Sequence, residues 1–157
     1  MAKKTWFEKL HNNADRLPEI KEIDSEKLIQ RVGAGKMVIP APLEINELMA
    51  SVPRGMVITT AQMCDYFNNK YGAVYTCPLC MGLFANIVAG YSNHQKEQGV
   101  EQYTHYWRTL KKDGEINPKF PGGIDSQIEL LIAEGHRIKQ KGKRFFVEDF
   151  KGATFTL

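Results

Sequence analysis

The sequence predicts a mainly helical α/β fold of winged helix-turn-helix type, with an N-terminal helical extension and a C-terminal β-hairpin. Three observations predict it. Two helix-like segments, about 60–71 and 77–91, each open on a threonine and are joined by a link of a few residues. A turn, Pro53-Arg54-Gly55, and a short extended run, Met56-Val57-Ile58, lead into the first of them. Near the other end, His136–Gln140 and Arg144–Glu148 flank Lys141-Gly142-Lys143, as the two strands of a hairpin flank their turn.

Residues 1–36 are polar and form the extension. Trp6, Phe7, Leu10 and Ala14 fall at helical spacing before Pro18, and a second helix runs from Ser25, its cap, through Leu28, Ile29 and Val32 to Gly33. Residues 37–157 form the main domain. Met37-Val38-Ile39 is an apolar run before Pro40 and Pro42. Leu43, Ile45, Leu48, Met49 and Val52 mark a short amphipathic helix that Pro53 ends.

In the first helix of the pair, Thr59 or Thr60 is the cap, Met63, Tyr66, Phe67 and Tyr71 the buried stripe, and Gly72 the stop. Thr76 caps the second, with Pro78 tolerated in its first turn. Leu79, Cys80, Leu83, Phe84, Ile87 and Val88 make an apolar side; Gly82, Ala85, Asn86, Ala89 and Asn93 make a bare, uncharged one. Glycine inside a helix costs about 1 kcal/mol relative to alanine, so it asks for a close approach, either by another helix or by a nucleic-acid backbone.

Residues 92–104 read as a polar link. His105-Tyr106-Trp107-Arg108-Thr109-Leu110 is an aromatic cluster with an arginine, Lys111–Glu115 a hairpin-type turn, and Asn117–Gly123 an ordered loop. A last helix spans about Ile124–Glu134, with Ile128, Leu131 and Ile132 buried and Gly135 closing it.

The totals bound the function. The chain has 157 residues, 43% hydrophobic and 25% charged, which fits one globular domain with an appended segment. A net charge of +3 and a pI near 8.7 admit an anionic partner without requiring one. The start carries charge but no apolar run, so no signal peptide is expected, and no stretch approaches a membrane span. Three cysteines, Cys64, Cys77 and Cys80, are too few for a disulfide framework and suit a reducing cytoplasm.

Cys77-Pro78-Leu79-Cys80 is a Cys-x-x-Cys at a helix start, the position that lowers a thiol pKa for disulfide exchange. The βαβ context of the thioredoxins is missing before it, and two small core residues explain it as well. A zinc site needs four ligands, and no second ligand pair is spaced to join these cysteines. Neither a metal nor a cofactor is expected. In the hairpin, Arg137, Lys139 and Lys141 share a face, either as a solvated edge or as a wing that touches phosphate.

The order of parts resembles the DNA-binding domain of the methylated-DNA–protein-cysteine methyltransferases and of the alkyltransferase-like proteins that share it. The resemblance spans about residues 40–135. It is carried by Val52-Pro53-Arg54-Gly55-Met56-Val57, by Thr59-Thr60 and the two helices, and by Gly122-Gly123 through Leu130-Leu131-Ile132-Ala133-Glu134-Gly135. That family uses an acceptor cysteine in a Pro-Cys-His-Arg motif. Its thiolate takes an alkyl group from a guanine flipped out of the duplex, with a histidine relay lowering its pKa. Here the loop reads Tyr106-Trp107-Arg108, and Trp107 is taken to stand at the cysteine, similar to the substitution in the alkyltransferase-like proteins. An indole cannot accept an alkyl group by this route.

Two further departures concern the helices. The family's helix-one tyrosine has no match at Thr60 or Ala61, and its intercalating arginine aligns with Leu79, although an apolar wedge can also occupy a base step. The resemblance implies a protein that binds double-stranded DNA in the minor groove, alkylated or not, without alkyl transfer, in a role such as recognising damage for repair. Thr59, Thr60, Gln62, Thr76, Leu79, Gly82, Ala85, Asn86 and Ala89 are the expected DNA contacts. Tyr106, Trp107 and Arg108 are expected to line what remains of the base pocket, where Trp107 either stacks on an extruded base or plugs the space. The competing readings are a protein-interaction module that kept the fold and lost DNA, and a thiol-redox protein using Cys77 and Cys80.

Overall fold

Four of the six α-helices among the described residues begin where a side chain accepts from the first turn. The computed structural model describes residues 3–157, and among them the order is α1 (Trp6–His11), β1 (Glu19–Glu22), α2 (Glu26–Val32), β2 (Lys36–Ile39), α3 (Pro42–Ala50), β3 (Ile58–Thr59), α4 (Thr60–Tyr71), β4 (Tyr75–Thr76), α5 (Pro78–Glu97), β5 (Thr109–Leu110), α6 (Gly123–Ala133), β6 (Ile138–Lys141) and β7 (Arg144–Val147). Thr5, Ser25 and Thr59 accept from the N–H three residues on. At Thr59 the bond is reciprocal: its hydroxyl accepts from the Gln62 backbone N–H at 3.2 Å, and Gln62 Oε1 accepts from the Thr59 N–H at 2.9 Å. This capping box fixes the start of α4, and Gly72, at φ +62°, ends it in the left-handed conformation.

Three small sheets hold the helices in place. β2 lies between β1, antiparallel to it, and β4, parallel to it; β3 and β5 are parallel; β6 and β7 form a hairpin. The core is shared by α3, α4 and α5, where Ile45, Met49, Met63, Phe67, Met81, Ala85 and Val88 are wholly buried.

Several elements differ from the sequence reading. β1 was not expected, and its four residues are all exposed, so no apolar alternation betrays it. Its pairing, Glu19↔Ile39 through Glu22↔Lys36, ties the N-terminal segment to the main domain. Cys77, not Thr76, caps α5: the Cys80 N–H donates to Cys77 Sγ at 3.4 Å. Thr76 is drawn inward, where its hydroxyl bonds Asn68 Oδ1 at 2.7 Å and Cys64 O at 3.1 Å.

α5 also continues to Glu97, through residues read as a polar link. Ser92 is buried there, its hydroxyl donating to Val88 O at 2.7 Å, and Gln95, Lys96 and Glu97 are good helix formers. The last turn of α5 carries His94 and Lys96, favourable beside the negative end of the helix dipole. Gly90 marks a true close approach, because a Cβ there would lie 2.5 Å from the Trp6 ring of α1.

The hairpin turns at Gly142-Lys143, with Gly142 at φ +64°. Its register, Lys139↔Phe146 and Lys141↔Arg144, puts three cations and one ring on one face.

Candidate functional site

The first two turns of α5 carry its exposed large apolar side chains. Leu79 is 72% exposed and Leu83 51%, while Met81, Ala85, Val88 and Ala89 are wholly buried against the rest of the core. Opposite this face stands the segment 111–119, and the two enclose a cleft of about 430 Å³. Thr60, Leu79, Gly82, Leu83 and Asn86 line one wall; Lys111, Lys112, Asp113, Glu115, Asn117, Lys119 and Arg144 line the other.

The second wall is held by a buried amide. Gln127, on the apolar stripe of α6, is wholly buried. Its oxygen accepts from the Asn117 N–H at 2.9 Å, and its nitrogen donates to Trp107 O and Thr109 O at 3.1 and 3.3 Å. Asn117 Nδ2 then reaches Asn86 Oδ1 at 3.3 Å, joining the loop to α5. On the other side the Ile116 N–H donates to Phe145 O at 2.8 Å, which fastens the same loop to the hairpin.

The cleft is electropositive. Arg144 binds Glu115 through two nitrogens, at 2.7 and 3.1 Å, and Lys111 lies 3.9 Å from the same carboxylate. The Arg144 hydrogen bond holds the Glu115 carboxyl below its usual range. Lys112 and Lys119 make no ion pair among the described residues. A second cleft, of about 280 Å³, meets the first at Asp113 and is lined by Lys139, Lys141, Lys151 and Asp149. The joined surface therefore carries seven cations, Lys111, Lys112, Lys119, Lys139, Lys141, Arg144 and Lys151, against the carboxylates of Asp113, Glu115 and Asp149.

The expected contact residues divide sharply. Thr60, Leu79, Gly82 and Asn86 line the cleft. Thr59, Thr76, Ala85 and Ala89 are buried. Of the two approaches open to the small side of α5, Ala85 and Ala89 show packing inside the protein. Gln62 faces away from the cleft, its amide donating to Phe155 O at 3.1 Å.

The residues expected around a base pocket are closed in. Tyr106, Trp107 and Arg108 are 2%, 6% and 6% exposed. Glu134 gathers them: it accepts from Trp107 Nε1 at 2.5 Å, from Arg108 Nε at 2.7 Å and from the Gly55 N–H at 3.2 Å. Arg108 also donates to Val52 O at 2.8 Å. Burial works to raise the Glu134 carboxyl, but the hydrogen bonds from Arg108, Trp107 and Gly55 and the arginine charge outweigh it and hold the group below its usual range. Tyr106 packs edge-on against Phe120, with ring centres 5.7 Å apart.

Two solved structures share this architecture. They are S. pombe ATL in complex with DNA, and S. pombe Atl1 in complex with damaged DNA containing O6-carboxymethylguanine. Each matches at a TM-score of 0.51 and 16% identity, over 73% of this chain and 93% of its own. The chain has the fold of an alkyltransferase-like protein. At that identity the likeness speaks for the fold and not for the chemistry. No protein-family model matches the sequence, and no curated protein matches it.

None of the three cysteines is among the residues that line the cleft, although Cys77 and Cys80 flank Pro78 and Leu79, which do. Burial pushes the Cys64 and Cys80 thiols up to about 11, the opposite of activation for exchange or transfer. Among the described residues no group of three or more His, Cys, Asp or Glu is placed to hold a metal ion, and no helix is long and apolar enough to cross a membrane.

The sequence reading missed Leu83, Lys111, Lys112, Lys119 and Arg144 as cleft residues, and Gln127 and Glu134 as its supports. Gln127 did leave a trace: it is a polar residue three after Ile124 and four before Leu131, on the stripe where α6 should be apolar.

Proposed function

We propose that this protein binds double-stranded DNA through the exposed start of α5 and the lysine-rimmed cleft beside it, without transferring an alkyl group. In this reading α4 and α5 serve as a helix-turn-helix, α5 enters the minor groove, and the β6–β7 hairpin is a wing along the phosphates. The observation that carries it is the pairing of the exposed Leu79–Gly82–Leu83 face of α5 with a run of cations from the hairpin to residue 119. A polyanion with a narrow profile suits both.

Gly82 supports this reading. A Cβ built there meets nothing within 4 Å, so no internal packing accounts for a mid-helix glycine. A phosphodiester backbone lying close against the helix does. Thr60 and Asn86 offer polar groups beside it, and Lys111, Lys112 and Lys119 offer charge for phosphates. Both matched structures hold DNA, one of them with an alkylated guanine, which makes alkylated duplex the first ligand to try.

Absence of alkyl transfer rests on Trp107, which the resemblance sets at the acceptor cysteine, and on the burial that raises the Cys64 and Cys80 thiols. The test is duplex binding across a salt series. The logarithm of the affinity should fall linearly with the logarithm of salt concentration, with a slope corresponding to several phosphate contacts. Lys112→Glu with Lys119→Glu should weaken binding and flatten the slope. A flat salt response, or charge reversals without effect, would instead point to a protein partner on this face. Incubation with duplex carrying a labelled alkylguanine should leave the chain unlabelled, and stoichiometric label on Cys77 or Cys80 would overturn the non-enzymatic reading.

A further inference from the structure

We propose that Leu79 and Leu83 act as an apolar wedge, so that the protein selects duplex DNA with a weakly stacked step, such as a mismatch or an abasic site, whether or not a base is alkylated. The inference rests on the DNA-binding reading above and names the ligand class of the same cleft.

The two leucines stand four residues apart, so they sit one above the other on the same face of α5. They are also among the most exposed large apolar side chains described, at 72% and 51%. Gly82 lies beside Leu83, with nothing filling the space where its Cβ would be. Lysines rim the patch: Lys111, Lys112 and Lys119 share its cleft. An apolar protein partner explains the leucines but leaves Lys112 and Lys119 without partners. DNA has both chemistries side by side, with phosphates outside and an apolar stack inside, and leucine is among the side chains that minor-groove proteins insert between base steps.

The interior of the site explains why selection falls on stacking. Trp107 is buried with its N–H held by Glu134, and Tyr106 is packed against Phe120. No aromatic face is open there to stack on an extruded base. Discrimination is left to the step that the leucines enter, and opening a step is easiest where pairing is already broken.

Fluorescence anisotropy with the full chain should compare four duplexes of equal length: matched, mismatched, abasic, and matched with an O6-methylguanine–cytosine pair. Mismatched and abasic duplexes should bind at least about tenfold more tightly than the matched one. A 2-aminopurine next to the step should brighten on binding as it unstacks. Leu79→Ala with Leu83→Ala, both at exposed positions, should erase the preference and the brightening and weaken binding of every duplex toward one common affinity, while the slope of the salt dependence, set by the lysines, stays the same. Equal affinity for all four duplexes, or tight binding of the alkylated one alone, would overturn the wedge and leave the DNA-binding reading standing. Failure to bind any duplex at low salt would overturn both.

Discussion

Glu134→Ala should be among the most damaging single changes in this chain. Glu134 and Arg108 side chains are 3% and 7% exposed, and their ion pair is 2.7 Å long. Removing one partner of a buried pair costs about 3–5 kcal/mol, because the other charge stays buried without compensation. Arg108 would keep only its bond to Val52 O, and the Trp107 and Gly55 N–H groups would lose their acceptor. Against a total stability of about 5–15 kcal/mol, that is about a fifth of the total or more. In a chain of this size it corresponds to a fall in Tm of about 6–20 °C. Urea denaturation followed by tryptophan fluorescence measures it directly. Arg108→Met combined with Glu134→Leu should cost less than the sum of the single changes, since the lone charge is gone. A loss below about 1 kcal/mol for Glu134→Ala would mean that the pair is no anchor, and the account of how the 106–110 segment is held would be wrong.

Gln127→Leu should cost about 3 kcal/mol or more in the same assay, since three backbone groups lose their partner at a wholly buried site; it should also loosen the 115–120 loop, seen as faster amide exchange there. Gly90→Ala should release α1, because the new Cβ would sit 2.5 Å from the Trp6 ring. Global stability should shift little, as alanine returns about 1 kcal/mol to the helix, while proteases gain access near residues 12–18. Acid should destabilise the protein through Glu134 and Glu115, both held below their ordinary value of 4.5. A depressed carboxyl contributes stability that is complete above its unfolded value and is lost as pH falls through the folded one. Denaturation midpoints should therefore hold between pH 5 and 7, as far as these two groups decide, and drop below about 4.5; Glu134→Gln should shrink the drop, and an unchanged acid limb would refute the assignment.

What could be read from the sequence, and what could not, follows from the range of the forces involved. Local chemistry was legible: Thr59 capping α4, Gly72 ending it, and Gly142 at the hairpin turn each act within a few residues. β1 was not, since its four residues are exposed and only pairing with β2 makes it a strand. The orientation of α5 fell between these cases. Its sequence offers two candidate inner faces, one of large apolar side chains and one of small ones, and hydrophobicity favours burying the large. The fold buries Ala85, Ala89 and Gly90 and leaves Leu79 and Leu83 outside. The reason is contact distance: Gly90 must admit the Trp6 ring and the alanines must admit the packed core, and only small side chains allow such approaches. Two leucines kept in water against the hydrophobic effect are then the feature that the interior does not account for. Burying each would be worth about 1.5–3 kcal/mol, so a partner that covers them gains what folding left unused. That energy is available to whatever occupies the cleft. Lysines on its rim that the fold does not pair suit an anionic occupant, and in the proposed reading a base step between two phosphate chains meets both conditions.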